Sequence, residues 1–209
     1  MSSQLKLGLT LLVVSLSSSI AFSASSVFIS EFHYDNDAGD TGEFVEIYVS
    51  TLIDIADVRV DFYNGNDNEI YDSVIGSSMG AFTPGSLVTL PDGDFRVFSA
   101  VVPGIQNGSP DGLSVGVSGT LVEFISYEGT LTAVGGIADG VTSSDIGVAQ
   151  SGSTPIGSSL TRTDAGWIVS DGENTQGLAN PDLTFNPIPE PSVTFLGGLG
   201  LFLLLCRRR

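Results

Sequence analysis

An all-β sandwich or barrel is the fold class that this sequence predicts, on three observations. Apolar and polar residues alternate in short runs, as they do on half-buried strands. Glycine, proline, asparagine and aspartate clusters separate those runs at short intervals, and the chain holds 26 glycines in 209 residues. Between the two ends of the chain no stretch keeps the 3.6-residue apolar period of a long amphipathic helix.

Taken in order, the first strand is expected at residues 27–32, where Val27, Ile29 and Glu31 alternate with Phe28, Ser30 and Phe32. Residues 35–42 read as a polar loop. A second strand follows at 43–49, with Phe44 and Tyr48 facing away from Val45 and Ile47. Residues 58–63 and 69–75 form a hairpin around Asn64-Gly65, a pair suited to positive φ, with a loop that extends through the polar residues 66–68. Further strands are expected at 87–90, 95–101, 113–117, 121–127, 158–163 and 167–170. Residues 128–156 are glycine-rich and aperiodic, yet Leu131, Val134, Ile137, Val141 and Ile146 supply anchors for an ordered loop. Residues 176–191 read as a linker.

The two ends carry addressing signals rather than fold. Lys6, an apolar core over residues 7–16 and the small residues Ala21 and Ser23 before Ala24 form a signal peptide over residues 1–23, read by signal peptidase. At the other end Pro187, Pro189 and Pro191 keep the chain extended. An apolar run over 192–206 then meets Arg207, Arg208 and Arg209, placed as a cytoplasmic membrane stop. At about 1.5 Å per residue the run is shorter than a ~30 Å hydrocarbon core, and a buried core helix is the alternative. The arginines and the N-terminal signal favour a short transmembrane helix that adapts by snorkelling and bilayer thinning.

Pro189-Glu190-Pro191, the apolar run with Gly197, Gly198 and Gly200, and the terminal arginines together resemble the PEP-CTERM sorting tail of Gram-negative bacteria. The resemblance implies recognition by an exosortase-type membrane enzyme and processing near Pro189 to Pro191. The cargo would be exported through the inner membrane, transiently anchored, and then delivered to the cell surface or extracellular matrix. A second resemblance covers the exported part. The blocks 27–36, 42–47, Tyr63-Asn64-Gly65, Asp111-Gly112-Leu113, 125–129, 143–147 and 157–160 are similar, in that order, to bacterial lamin-tail domains. That family implies an immunoglobulin-like β-sandwich over residues 24–175, a fold that commonly binds or spaces. The chain departs from it at Asp57-Val58-Arg59-Val60, where relatives often carry a tryptophan.

Charge excludes one partner class. The chain has 24 acidic and 7 basic residues, and residues 24–191 retain only Arg59, Arg96 and Arg162 against all 24 acids, a net of −21. Such a surface repels phosphate backbones, so no nucleic-acid partner is expected. It suits divalent cations and salt, and exopolysaccharide is a candidate partner. The sole cysteine, Cys206, lies in the apolar tail, so the exported part has no disulfide, thiol nucleophile or cysteine-ligated zinc.

Candidate chemistry is sparse. His33 is the only histidine, so any Ser-His-Asp mechanism must use it, and no Gly-x-Ser-x-Gly elbow accompanies it. Asp35, Asp37, Asp40 and Glu43 crowd one loop and are the candidate calcium ligands, although their spacing departs from the EF-hand pattern and a solvated loop is the favoured reading. Trp167 can stack on a sugar or fill the core. The expectation is a non-enzymatic, exported binding or scaffolding protein; a calcium-dependent carbohydrate-binding module is the alternative, and a secreted hydrolase the third.

Overall fold

The computed structural model describes residues 27–37 and 39–184, which form two packed β-sheets. The chain builds them hairpin by hairpin. The strands β1 (Val27–His33) and β2 (Phe44–Ser50) pair in the larger sheet. A single 3₁₀ turn, Ile55–Asp57, capped by the Asp54 carboxylate on the Ala56 amide, carries the chain across to β3 (Val58–Asn64) and β4 (Ile70–Ile75) in the smaller sheet. The strands β5 (Thr83–Leu90) and β6 (Gly93–Val101) return to the larger sheet, and β7 (Asp111–Val117) and β8 (Thr120–Tyr127) to the smaller one. After a long excursion come the short β9 (Ser144–Asp145) and the last hairpin, β10 (Ser159–Thr163) and β11 (Gly166–Ser170). The larger sheet runs β11-β10-β1-β2-β6-β5 and the smaller β4-β3-β7-β8-β9. Every ladder is antiparallel except β8 with β9.

The core lies between the sheets. Ile29, Phe32, Val45, Ile47 and Leu160 of the larger sheet meet Val60, Phe62, Leu113 and Val115 of the smaller. At one end of this core Tyr34 stacks on Tyr127 with centroids 4.2 Å apart, and Phe32 packs edge-on against Trp167 at 5.7 Å. Rings at these separations add attraction beyond their buried area.

The all-β sandwich is as expected, with most strand ends within two residues, and three local readings change. Strict alternation places Glu31 beside Val27 and Ile29; instead a bulge between Ile29 and Glu31 inserts one residue, so Phe32 joins the core and Glu31 turns outward opposite Glu46. The glycine-rich excursion is ordered, but Leu131, Ala133 and Ala138 are its buried anchors, while Val134 and Val141 are exposed. Small side chains fit because the loop backbone lies close to the sheet. Residues 176–184, read as linker, pack onto the outer face of the larger sheet, with Leu183 buried among Phe28, Tyr48, Leu90, Phe95 and Val97. The signal peptide, the Pro189-Glu190-Pro191 motif, the apolar run and the three terminal arginines lie outside the described residues.

Candidate functional site

A cleft of 540 Å³ opens between β8 and β9 on one side and the β10–β11 hairpin on the other. Phe124, Val141, Ile146 and Trp167 give it apolar wall, and Thr142 and Asp145 give it hydrogen-bonding groups. On its outer side β8 pairs with β9 only at Ile125 and Ser126, so among the described residues 120–124 present an unpaired strand edge beside this cleft. Arg162 fixes the inner end. Its Nη1 donates to Glu123 Oε1 at 2.6 Å and to the Ile29 carbonyl at 3.1 Å, and its guanidinium lies 5.4 Å from the Trp167 ring centre. The other Glu123 oxygen accepts the Ile29 amide at 2.9 Å. Both charged side chains are 16 % exposed, so the pair ties β8 to β1 and β10 across the mouth of the core. The cation over the indole further orients the ring. A half-buried tryptophan flanked by hydroxyl, carboxylate and backbone groups can take a sugar ring or a flat polar chain by stacking and hydrogen bonding.

The only histidine is not placed for catalysis. His33 is 2 % exposed, its Nδ1 lies 3.0 Å from Gln150 Oε1, and its Nε2 lies 2.7 Å from the Asn36 side-chain amide. An amide nitrogen donates, so Nε2 accepts and Nδ1 carries the proton. Gln150 Oε1 also accepts the Tyr34 amide at 2.9 Å, and the Gln150 amide donates to the Tyr34 hydroxyl at 2.7 Å. His33 thus pins residues 150–154 onto the end of β1. Neither ring nitrogen is left to take a proton from a serine.

The four acidic loop residues do not form one cluster. Asp35 and Asp40 meet side chain to side chain; burial, then this contact, holds Asp35 above the usual carboxylate range. Asp40 sits at φ 52, a left-handed turn position, and Asn107 donates to it at 3.4 Å. Glu43 is turned inward, where its Oε2 accepts the Gly104 amide at 2.5 Å and burial pushes its carboxyl up. Asp37 is exposed, held through its backbone amide to the Thr154 carbonyl at 2.8 Å. Among the described residues no three histidine, cysteine or acidic side chains are grouped closely enough to share a metal ion.

Comparison with known proteins returns no matching family model, no matching curated sequence and no matching solved structure.

Two features escape a sequence reading that looks for named motifs. The first is the Arg162–Glu123 pair, whose members lie 39 residues apart with no local pattern linking them. The second is a pair of buried acids, Glu31 and Glu46, each fully inaccessible on neighbouring strands. Their signal was present: each stands inside a strand built largely of apolar residues, where an acid needs a partner or a proton. Two carboxyls that reach no solvent reach no polymeric substrate either.

Proposed function

We propose that this protein is an exported, non-catalytic cell-surface or extracellular-matrix protein whose β-sandwich holds an extracellular polymer, an exopolysaccharide being the class that fits. The observation that carries the binding reading is the Trp167 cleft, an open groove beside a tryptophan already oriented by Arg162. The burial of His33, Glu31 and Glu46 favours binding over hydrolysis, since the side chains best suited to acid–base work face protein rather than substrate. The two-sheet sandwich supports the lamin-tail-like, immunoglobulin-type reading of residues 24–175. The sequence signals of residues 1–23 and of Pro189, Glu190, Pro191 and Arg207 to Arg209 support export, exosortase-type sorting and delivery through a transient membrane anchor.

Co-sedimentation with exopolysaccharide from the producing cells tests the cleft. Trp167→Ala should lower retention at least tenfold while the fold, read by far-UV circular dichroism, is kept; equal retention removes the cleft from the proposal. Calcium is the second reading, favoured by the Asp35–Asp40 contact, which a divalent cation would relieve. A chelator arm in the same experiment separates the two, because loss of retention on chelation assigns calcium a part. For the tail, Glu190→Ala should leave folding intact and change the mature C-terminus seen by mass spectrometry; unchanged processing and surface delivery would count against sorting.

A further inference from the structure

Residues 174–184 are strapped across the outer face of the larger sheet, and two acids fasten its first turn. Glu31 Oε1 accepts the Thr175 amide at 2.9 Å and Glu31 Oε2 accepts the Thr175 hydroxyl at 2.5 Å. Glu46 Oε2 accepts the Gly177 amide at 2.6 Å, and its Oε1 accepts the Ser30 hydroxyl at 2.9 Å. Further along, the Asn180 amide donates to the Tyr48 hydroxyl at 2.8 Å, and its side chain donates to the Ser30 carbonyl at 3.0 Å. The backbones touch as well: a Cβ on Gly85 would meet the Gly177 carbonyl oxygen at 2.1 Å, so only glycine lets β5 approach the strap.

Among the described residues no basic side chain pairs with either acid. Glu31 and Glu46 stand opposite each other across the β1–β2 ladder, both fully buried. The ion pairs among the described residues are Arg59 with Asp61 and Arg162 with Glu123, and neither involves these two. Glu46 faces Glu31 from β1, Tyr48 from its own strand and uncharged Ser99 opposite on β6. From the strap it meets only the Gly177 amide, and around Glu31 lie the hydroxyls of Ser159, Thr161 and Thr175. Two adjacent buried carboxylates with no counter-ion cannot both carry charge cheaply.

We propose that Glu46, set against Glu31, forms a proton-dependent latch, which holds residues 174–184 on the sheet and releases them when Glu46 loses its proton. Burial first, and then the neighbouring Glu31, pushes the Glu46 carboxyl up to about 8 from an ordinary 4.5. A raised value in the closed form means that the proton stabilises closure. The proton's contribution to the hold therefore shrinks as pH rises and is gone above about 8. Release uncovers Phe28, Tyr48, Phe95 and Val97. It also frees 11 residues of chain, which adds roughly 35–40 Å of reach between the sandwich and whatever follows Thr184. The proposal rests on the fold alone and stands or falls independently of the polymer-binding and sorting readings.

Hydrogen exchange of the full chain between pH 5 and 9, corrected for intrinsic rates, tests it. Protection of the Thr175, Gly177, Asn180 and Leu183 amides should fall by about tenfold per pH unit and level off near 8, as expected for one linked proton. Amides of residues 131–143, which cover the other sheet, serve as the reference and should stay level. Glu46→Gln keeps an acceptor for Gly177 and a donor for Ser30 without charge, so its strap should stay protected throughout. Glu31→Gln removes the opposing charge but leaves the burial, so its fall should end at a lower pH than in the wild type, which keeps the test open if the first variant fails to fold. Leu183→Ala should expose the strap at every pH. Strap amides that follow the reference in the wild type, that lose protection as steeply in a folded Glu46→Gln variant, or whose fall ends at the same pH in a folded Glu31→Gln variant would overturn the latch.

Discussion

Each sheet has its outer face roofed by an excursion of the chain, and the two roofs share a plan. Over the smaller sheet, residues 131–143 pack Leu131, Ala133 and Ala138 on Tyr63 and Phe124. Over the larger, residues 174–184 pack Leu183 on Phe28, Tyr48 and Phe95. In both a sheet tyrosine accepts a roof amide, Tyr63 from Ala138 at 3.3 Å and Tyr48 from Asn180 at 2.8 Å. In both a buried strand carboxylate accepts another, Asp61 from Ile137 at 3.2 Å and Glu46 from Gly177 at 2.6 Å. A glycine marks each close approach: at Gly136, φ +67, a Cβ would lie 2.7 Å from Asp61 Oδ2. The roofs differ in what sits beside the carboxylate. Asp61 has the Arg59 guanidinium at 2.5 Å and the Ser73 hydroxyl at 2.6 Å, whereas Glu46 has a second acid. One roof is held by charge compensation and the other by a proton, so the same hydrogen-bond pattern answers differently to pH.

The largest effect that can break this comparison is Asp61→Ala. It leaves Arg59 and the Ile137 amide without their acceptor and should cost about 3 kcal/mol of unfolding free energy, the low end for a broken buried pair, because Arg59 is partly exposed. Urea denaturation measures it. A cost below about 1 kcal/mol would mean that Arg59 is effectively solvated and that the roofs differ less than their partners suggest. The smallest effect sharpens the shared half of the plan. Tyr48→Phe and Tyr63→Phe should each cost about 1–2 kcal/mol, because each leaves a buried roof amide without its acceptor, and Tyr63 also gives up its bond to the Gly135 carbonyl. Unequal costs would show that one roof depends on its tyrosine more than its geometry suggests. Tyr48 remains a neutral donor and acceptor across the working range, since burial pushes its hydroxyl up to about 12.

The strands were legible because their signal is local. Phe44 to Val49 alternates, Asn64-Gly65 announces a turn, and the polar residues after it predicted the longer loop that ends in Asn68 at φ 66. The bulge at Ser30 was not legible, because alternation shows where side chains could point and not where an extra residue is absorbed. The strap was not legible either. Its asparagines, glycine and proline read as linker by composition, while its burial depends on Glu31, Glu46 and Tyr48 more than 120 residues earlier. Of the proposed site, Trp167 could be singled out as the sole tryptophan. Its orientation comes from Arg162 and Glu123, which only the packed sheets bring together. The acidic loop shows the opposite case: four carboxylates adjacent in sequence are sent to different environments by one left-handed turn and one inward-facing glutamate.

The strap has a direction, and that gives it a mechanical character. Tension applied beyond Thr184 reaches the Thr184 contacts with Asp164 first, then Leu183, then the Asn180 bonds, and arrives at Glu46 and Glu31 last. Bonds met one after another yield at lower force than bonds loaded together. A pull therefore undoes the strap from its outer end, whereas loss of a proton loosens it at the end nearest β11. Force and alkalinity would open the same segment from opposite ends, and each would shorten the stretch that the other has left to break.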